Sequence, residues 1–441
     1  MSKPSVINDR QGNLFRNLLS QQLNPKHPLF RLSQVIDWAV IEKEFGKFYK
    51  ASPGHPPKPI RLMTGLLMLQ HMEGLSDERV VELWVENPYW QYFCGYDDLQ
   101  WEKPINSSSL TRWRKRLGKE GIEKILRVTI TTALRVGHTQ ERDCSQVIAD
   151  TTVMEKAIEY PLDSKLLHKA REQLVALAKE AGLTLRQTYT RLGRSALRKA
   201  ASYGHAKQYK RMAKQVKKLR GFLGRVVRDV GRKATGLVLS SKMQDLLEKA
   251  RHLLTQTKTS KNKLYSLHAP EVECIAKGKA HKRYEFGCKV ALVITHKQGL
   301  ALSAQAMHGN PYDGHTLPVS LTHSEKISGI AIETSFVDLG YKGHDVSDKQ
   351  VILARQKGLP PKLKRALKRR NAIEPHIGHM KMEGKLGRNW LKGILGDQLN
   401  ALLCAIGHNM RLLRAFLSFI FAWLWQVVRS CKPHLQAKCT T

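Results

Sequence analysis

The sequence predicts an α/β core that is split by a long basic helical insertion and preceded by an all-helical segment. Apolar residues recur at three- and four-residue spacing through residues 1 to about 135, as amphipathic helices require. β-Branched runs typical of strands occur at 145–153 and again between 271 and 338. The chain between these runs is helical in pattern, and strands interrupted by helices are typical of an α/β fold.

The basic helix of the N-terminal segment is a candidate DNA contact. The stretch "SSSLTRWRKRLGKEGIEKILRVTITTAL" begins with serines suited to an N-cap and then continues with helical periodicity. Its first turns carry Arg112, Arg114, Lys115 and Arg116 around Trp113. A short helix followed by a basic helix resembles a helix-turn-helix layout, which predicts that these four cations contact DNA. The alternative is an ordinary surface helix.

The predicted core begins with the strand "SQVIADTTV" and resumes after the insertion. Residues 163–265 hold 26 Lys or Arg against six Asp or Glu, which indicates a basic helical insertion. The runs "YEFGCKVALVIT" and "LALSAQAM" flank "HKQG", a pattern typical of a hairpin. A helix at "PYDGHTLPVSLTHSEKI", a strand ending near Asp338 and a helical remainder from about Pro361 complete the predicted order.

Net charge is the most informative global property. The 441 residues include 74 Lys or Arg and 37 Asp or Glu, which gives a net charge of +37 and a pI near 10.1. Such a balance predicts a polyanionic partner, with nucleic acid favoured over an anionic membrane surface or a ribosomal-type scaffold. The hydrophobic fraction of 42% is that of a globular chain.

Cysteine spacing and the chain ends predict a cytoplasmic protein. The seven cysteines form no Cys-x-x-Cys pair, so we expect reduced thiols and no zinc ribbon. The N-terminal "MSKPSVINDRQGN" lacks the apolar region of a secretory signal. The apolar run Ala415 to Val428 spans 14 residues, fewer than the roughly 20 that a transmembrane helix needs, and predicts a buried packing helix.

Three acids are placed where they could hold metal ions. Asp150 ends the run "VIAD", Asp338 ends the run "SFVD", and Glu374 lies alone in the basic stretch "KLKRALKRRNAIEPHIGHMK". Two strand-end carboxylates and one from a facing helix can bind two Mg²⁺ or Mn²⁺ ions, the arrangement that catalyses in-line phosphoryl displacement. The alternative for each acid alone is a cap, turn or surface residue.

Spacing around Glu374 favours a phosphate-binding face. Arg370 precedes Glu374 by four residues and Lys381 follows by seven, so all three can share one side of an ideal helix. Pro375 implies that a helix begins there or is kinked there. Glu383, nine residues past Glu374, competes for the role of third ligand.

Weaker candidates lie nearby. His376 and His379 could bind a metal or hydrogen-bond a phosphate, and Asp313 could cap the helix that follows it. The sequence has no Walker-type glycine-rich loop, so ATP-driven chemistry is not expected.

Four motifs resemble the DDE transposases of bacterial insertion sequences: "ADTTV", "EVECIAKGKAHKRYEFGCKV", "FVDLGYKG" and "RRNAIEPHIGHMK". The N-terminal "HPLFRLSQVIDW" and "GHPPKPIRLMTGLLMLQHMEGLSDERVVELW" resemble the helical leader domain of that group. The resemblance implies a ribonuclease H-like mixed sheet flanked by helices, with a catalytic, metal-binding triad of Asp150, Asp338 and Glu374.

The resemblance also assigns residues around the triad. Asp338 lies in the family motif Asp-x-Gly-Tyr-x-Gly, and Tyr341 and Lys342 within it are implied DNA contacts. The family signature around the glutamate is matched by Arg370 and Lys381, also implied DNA contacts, whereas Leu367 stands where the family has tyrosine.

The resemblance predicts a DNA transposase that cleaves at element ends and transfers the 3′-hydroxyl to target DNA. Expected partners are the terminal repeats and target DNA, bound by a homodimer or larger oligomer in the bacterial cytoplasm at the nucleoid, with no membrane. A non-catalytic DNA-binding relic and a metal-dependent nuclease without strand transfer are the alternatives.

The predicted domains follow the motifs. A helical DNA-binding domain covers 1–135, and a catalytic domain covers 136–430, interrupted by the insertion 163–265. A short tail covers 431–441.

Overall fold

The computed structural model describes residues 18–49, 57–257, 259–276 and 282–436, with side chains as far as residue 419. The N-terminal stretch inspected for a signal, Cys439 and most apolar side chains of the C-terminal run therefore lie outside the described residues. The chain divides into two compact units. The first contains the described residues up to Glu155 and from Lys289 onward, and the second runs from Lys156 to Cys288.

The first unit begins with helices, as the apolar periodicity predicts. They are α1 (Leu19–Gln22), α2 (Pro28–Val35), α3 (Trp38–Gly46), α4 (Ile60–Met72), α5 (Asp77–Glu86), α6 (Pro88–Phe93), α7 (Ser108–Arg135) and α8 (Glu141–Cys144). Helix α7 is broken at Gly118, whose φ of 59° is left-handed, so its basic first segment is separate from its second. Ser107 at its N-cap makes no capping bond; instead the Asn106 side chain accepts from the backbone of Ser108.

The strands are β1 (Gln146–Lys156), β2 (Glu273–Ala276), β3 (Tyr284–Thr295), β4 (Ala301–Met307), β5 (Thr334–Val337), β6 (Gln350–Leu353) and β7 (Arg388–Asn389). In the first unit β3, β1, β5 and β6 are neighbours in that order, and β4 pairs with β3. The β3–β4 pairing is antiparallel, which confirms the predicted hairpin, whereas β5 runs parallel to both β1 and β6. The protein is thus a mixed α/β protein with a mixed sheet, as predicted.

The second unit contains four helices in its described residues: α9 (Asp163–Glu180), α10 (Thr190–His205), α11 (Tyr209–Lys233) and α12 (Ser241–Thr255). Their apolar faces form one core, which includes Leu174, Leu223, Val230 and Leu247. The charged residues of this stretch therefore lie mostly on the outer faces, because few of them can be buried without a partner.

The first unit is completed by α13 (Asp313–Ser328), α14 (Pro361–Lys368), α15 (Ile373–Met382) and α16 (Gly393–Gln436). Helix α16 packs on α4, α7 and β4. Asn409 on α16 donates to the Ala301 carbonyl at 2.9 Å and to Thr129 Oγ1 at 3.0 Å, which joins β4 to α7. A Cβ at Gly407 would lie 2.3 Å from the His71 carbonyl oxygen, so only glycine permits this approach to α4.

Two further predictions can be compared with the described residues. None of their helices is long and apolar enough to cross a membrane. Among the described side chains, Cys94, Cys144, Cys274, Cys288 and Cys404 form no disulfide.

Candidate active site

The parallel pairing of β1 with β5 brings two of the three predicted acids together. The pairing extends as far as Ile148 and Phe336; Asp150 lies two residues further along β1, and Asp338 directly follows the end of β5. Besides burial, the charge of Asp338 raises the pKa of Asp150, so the two carboxylates lie near each other. Strand β1 continues to Lys156, so the prediction that Asp150 ends its strand is wrong; the threonines that follow it extend the strand.

Several charged groups lie close enough to Asp150 to shift its pKa. Burial raises the pKa of Asp150 to about 6, and the negative charges of Asp338 and Asp313 act in the same direction. The backbone N–H of Thr151, which donates to Asp150 at 2.7 Å, and the positive charge of Arg370 oppose this rise in pKa. A half-buried carboxyl with two acidic neighbours is a place where added positive charge is stabilising.

Asp313 is an unexpected member of this cluster. Its Oδ1 accepts hydrogen bonds from Thr151 Oγ1 and from Lys289 Nζ, both at 2.9 Å. The prediction that Asp313 caps α13 is wrong, because Tyr312 occupies the N-cap position and no side chain caps the helix there. Lys289 also donates to the Pro311 carbonyl at 2.6 Å. The sequence signal that could have indicated this half-buried ion pair is the lysine within the apolar run "FGCKVALVIT".

Tyr341 lies under the acids rather than on the surface. It is 2% exposed, and burial followed by the charges of Asp150, Asp313 and Asp338 raises the pKa of its hydroxyl well above 10. The prediction that Tyr341 contacts DNA is therefore wrong, because its ring is inaccessible. Lys342 next to it is exposed.

The segment that carries Glu374 is not one continuous α-helix. Arg369–Ala372 form a 3-10 turn, and α15 begins at Ile373, which agrees with the prediction of a helix start near Pro375. The spacing predicted that Arg370, Glu374 and Lys381 share one face of an α-helix. Arg370 lies in the 3-10 turn before α15, so it does not share an α-helical face with the other two. Glu374 is exposed and makes no hydrogen bond or ion pair with a described residue. Arg370 is half-buried, donates to Asn371 at 2.9 Å and acts electrostatically on Asp150.

The competing acid Glu383 is already engaged. It accepts a hydrogen bond from His379 Nδ1 at 3.0 Å, and Arg411 Nε lies 3.4 Å from its other oxygen. The hydrogen bond from His379 is the main reason that the pKa of Glu383 is lowered. His376 instead packs its ring against that of His408, with centroids 5.1 Å apart, so the two histidines of the His-x-x-His pair have different partners.

Three of the four cations of α7 that were predicted to contact DNA are exposed to solvent. Arg112, Lys115 and Arg116 are exposed. Arg114 is 4% exposed and donates to Asp77 Oδ1 at 3.0 Å and to Gln70 at 3.2 Å. The prediction that Arg114 contacts DNA is therefore wrong, because its guanidinium joins α7 to α4 and to the first residue of α5.

Arg114→Ala is expected to destabilise the protein by about 3 kcal/mol, because it leaves Asp77 charged and half-buried without its cation. Arg112→Ala, two residues away and exposed, is the matched control and should change stability by less than about 0.5 kcal/mol. Chemical unfolding midpoints of the two variants test this. Equal midpoints would contradict a structural role for Arg114.

Comparison with known proteins identifies the N-terminal helices. A family model described as "Transposase domain (DUF772)" matches residues 17–116, which include Arg112, Arg114, Lys115 and Arg116. A Rhizobium meliloti protein described as "Uncharacterized protein ORF8 in nfe locus" is 46% identical over 207 residues, which are 47% of this chain and 100% of that protein. No solved structure matches the chain. Residues 17–116 are thus similar to a transposase domain, and the chain belongs to the same family as the Rhizobium meliloti protein, which it covers completely.

Proposed function

We propose that the protein is a DDE-type DNA transposase with a ribonuclease H-like core, which cleaves DNA at element ends and transfers the 3′-hydroxyl to target DNA. The observation that carries this proposal is the parallel pairing of β1 with β5, which brings Asp150 near Asp338, the residue that follows β5. The mixed sheet supports the proposed core, and the matched transposase domain supports the reaction class.

The donor set fits divalent metal ions. Carboxylate oxygens are the ligands that Mg²⁺ and Mn²⁺ prefer. Burial, followed by the charges of Asp338 and Asp313, raises the pKa of Asp150, and a bound cation would stabilise its ionised form. Asp150, Asp338 and Glu374 would hold two such ions; Glu374 suits this role because no described residue pairs with it. Bound there, the ions would activate the attacking oxygen and stabilise the departing one.

Other side chains of the cluster position the acids. The Asp313–Lys289 ion pair neutralises part of the local charge and, through Thr151 Oγ1, fixes the residue next to Asp150. Tyr341 is the buried last residue of the 3-10 turn that follows Asp338, and this turn packs on α13. Arg370 balances the charge of Asp150, and we assign it and Lys381 to the DNA phosphates beside Glu374.

Two exposed groups would guide the substrate. Arg112, Lys115 and Arg116 on α7 would contact the terminal repeats, since they are accessible and lie within the matched transposase domain. Lys342 is exposed four residues after Asp338 and would contact a phosphate next to the metal site. Binding two element ends at once would need a dimer or a larger oligomer on DNA at the nucleoid.

The direct test uses labelled fragments that carry the element ends, supercoiled target plasmid and Mg²⁺. We expect end cleavage and covalent joining of the label to the plasmid, with both lost in EDTA. Cleavage without joined product would support the metal-dependent nuclease instead. Binding with neither product would support a DNA-binding relic and overturn the proposal.

A further inference from the structure

One line along the surface of α11 carries only cations. At ~100° per residue, seven basic residues and Gly221 fall within about a third of the helix circumference. One of the seven, Arg232, forms an ion pair with Asp229 at 3.6 Å. We call the other six the α11 stripe: Lys210, Lys214, Lys217, Lys218, Arg225 and Arg228, all exposed. From first to last they span about 27 Å at ~1.5 Å per residue.

The opposite side of α11 is committed to the core of its unit. Leu219, Leu223, Val226 and Val230 are each no more than 1% exposed and pack with residues of α9 and α12. The apolar face is therefore occupied, and only the α11 stripe is open to a partner. An amphipathic helix that binds a membrane surface needs its apolar face for the lipid, so this burial argues against a membrane partner.

The charges of the α11 stripe are not balanced within the described chain. Five of its members, all except Arg225, form no ion pair or hydrogen bond with a described residue. Arg225 lies over the Tyr189 ring, 5.7 Å from its centroid. The one acid of the helix, Asp229, is 5% exposed and accepts from the backbone of Arg186 at 2.7 Å. Like charges three and four residues apart destabilise a helix, so this arrangement favours an anionic partner.

Gly221 at the centre of the α11 stripe provides an independent observation. Glycine inside a helix is unfavourable, and here a Cβ would meet no atom within 4 Å, so internal packing does not require it. Gly221 lines an open groove of about 420 Å³, together with Lys214, Lys217, Lys218, Phe222 and Arg225. A glycine between cations allows the helix backbone to approach a partner closely.

We propose that the α11 stripe binds the phosphate backbone of double-stranded DNA, separately from the acid cluster and from α7. A straight row of unpaired cations without acids matches the regular negative charge of a duplex, one per ~1.7 Å of axis. The choice of DNA as the polyanion rests on the proposed function. Contacts of this kind add affinity that does not depend on sequence.

The test is the salt dependence of binding by the full-length protein to a duplex of unrelated sequence. The stripe variant replaces four cations by glutamine, which preserves helix propensity: Lys214→Gln, Lys217→Gln, Arg225→Gln and Arg228→Gln. The control variant makes the same charge change at exposed residues of α9, α12 and the loop after α12: Lys179→Gln, Lys242→Gln, Arg251→Gln and Lys261→Gln.

Relative to wild type, we expect the slope of log affinity against log salt to decrease in magnitude by about 3 to 4 for the stripe variant. For the control variant we expect a decrease of less than about 1. Equal slopes for both variants, at unchanged melting temperature, would overturn the proposal. Loss of binding to phosphatidylserine vesicles with an unchanged DNA slope would overturn it in favour of a membrane.

Cleavage distinguishes this inference from the proposed function. Asp338→Asn should abolish cleavage and keep the wild-type salt slope. The wild-type protein could fail to cleave DNA while the stripe variant still showed the shallower salt slope. That result would contradict the proposed function but support DNA binding by the α11 stripe.

Discussion

Asp150→Asn, Asp338→Asn and Glu374→Gln are each expected to reduce DNA cleavage by about 10²–10³-fold or more, with little change in DNA affinity. Each neutral isostere removes a charged oxygen ligand but leaves the exposed cations of α7 and α11 in place. Cleavage by purified variants on labelled element ends, measured beside a gel-shift titration, provides both quantities.

Glu383→Gln is the matched control for Glu374→Gln. The two acids lie nine residues apart at opposite ends of α15, but Glu383 is bound to His379 and Arg411. We expect this control to keep most of its cleavage activity. A fully active Glu374→Gln protein beside an inactive Glu383→Gln protein would show that the third ligand is misassigned.

Asp150→Asn should also stabilise the metal-free protein at neutral pH by about 3 kcal/mol. The pKa of Asp150 is about 6 in the folded protein, against an ordinary value of 3.8, and each pKa unit corresponds to about 1.4 kcal/mol. Between these two values the folded state binds the additional proton, so wild-type stability should fall as the pH rises from about 4 to about 6 and then level off. Asparagine can still accept the Thr151 N–H, because it retains Oδ1.

Unfolding midpoints of wild type and Asp150→Asn from pH 4 to 8, in EDTA, test this prediction. The two curves should converge near pH 4 and separate toward pH 7, and Mg²⁺ should raise the wild-type midpoint alone. Asp245→Asn, which changes the same charge on the exposed face of α12, should follow wild type. Parallel curves for wild type and Asp150→Asn would contradict the electrostatic description of the site.

The helices and the β3–β4 hairpin could be predicted because each depends on the pattern of neighbouring residues in the sequence. The apolar periodicity identified the helices around α4, and the two runs that flank the glycine-containing turn "HKQG" identified the β3–β4 hairpin. Strands β2, β6 and β7 have four, four and two residues, too short to produce a periodic signal. Asp150 looked like a strand end because polar threonines follow it, but these β-branched residues continue the strand.

The predictions that failed depend on contacts between distant parts of the chain. Arg114 resembles its exposed neighbours in sequence, and only the folding of α5 beside α7 places Asp77 against it, 37 residues away. Tyr341 is buried in a turn that packs on α13, a contact that the motif Asp-x-Gly-Tyr-x-Gly does not reveal. Asp313 and Lys289 were separated by 24 residues, and their pairing follows from the β3–β4 hairpin and the start of α13.

Iron-mediated cleavage of the protein backbone tests the central claim most directly, because Fe²⁺ in the place of Mg²⁺ produces hydroxyl radicals at the metal site. With Asp150, Asp338 and Glu374 as ligands, we predict cuts close to residues 150, 338 and 374, suppressed by excess Mg²⁺ and absent in Asp338→Asn. Cuts beside 150 and 338 accompanied by a third beside 383, or by one beside 313 with none beside 374, would contradict the proposed metal-binding triad.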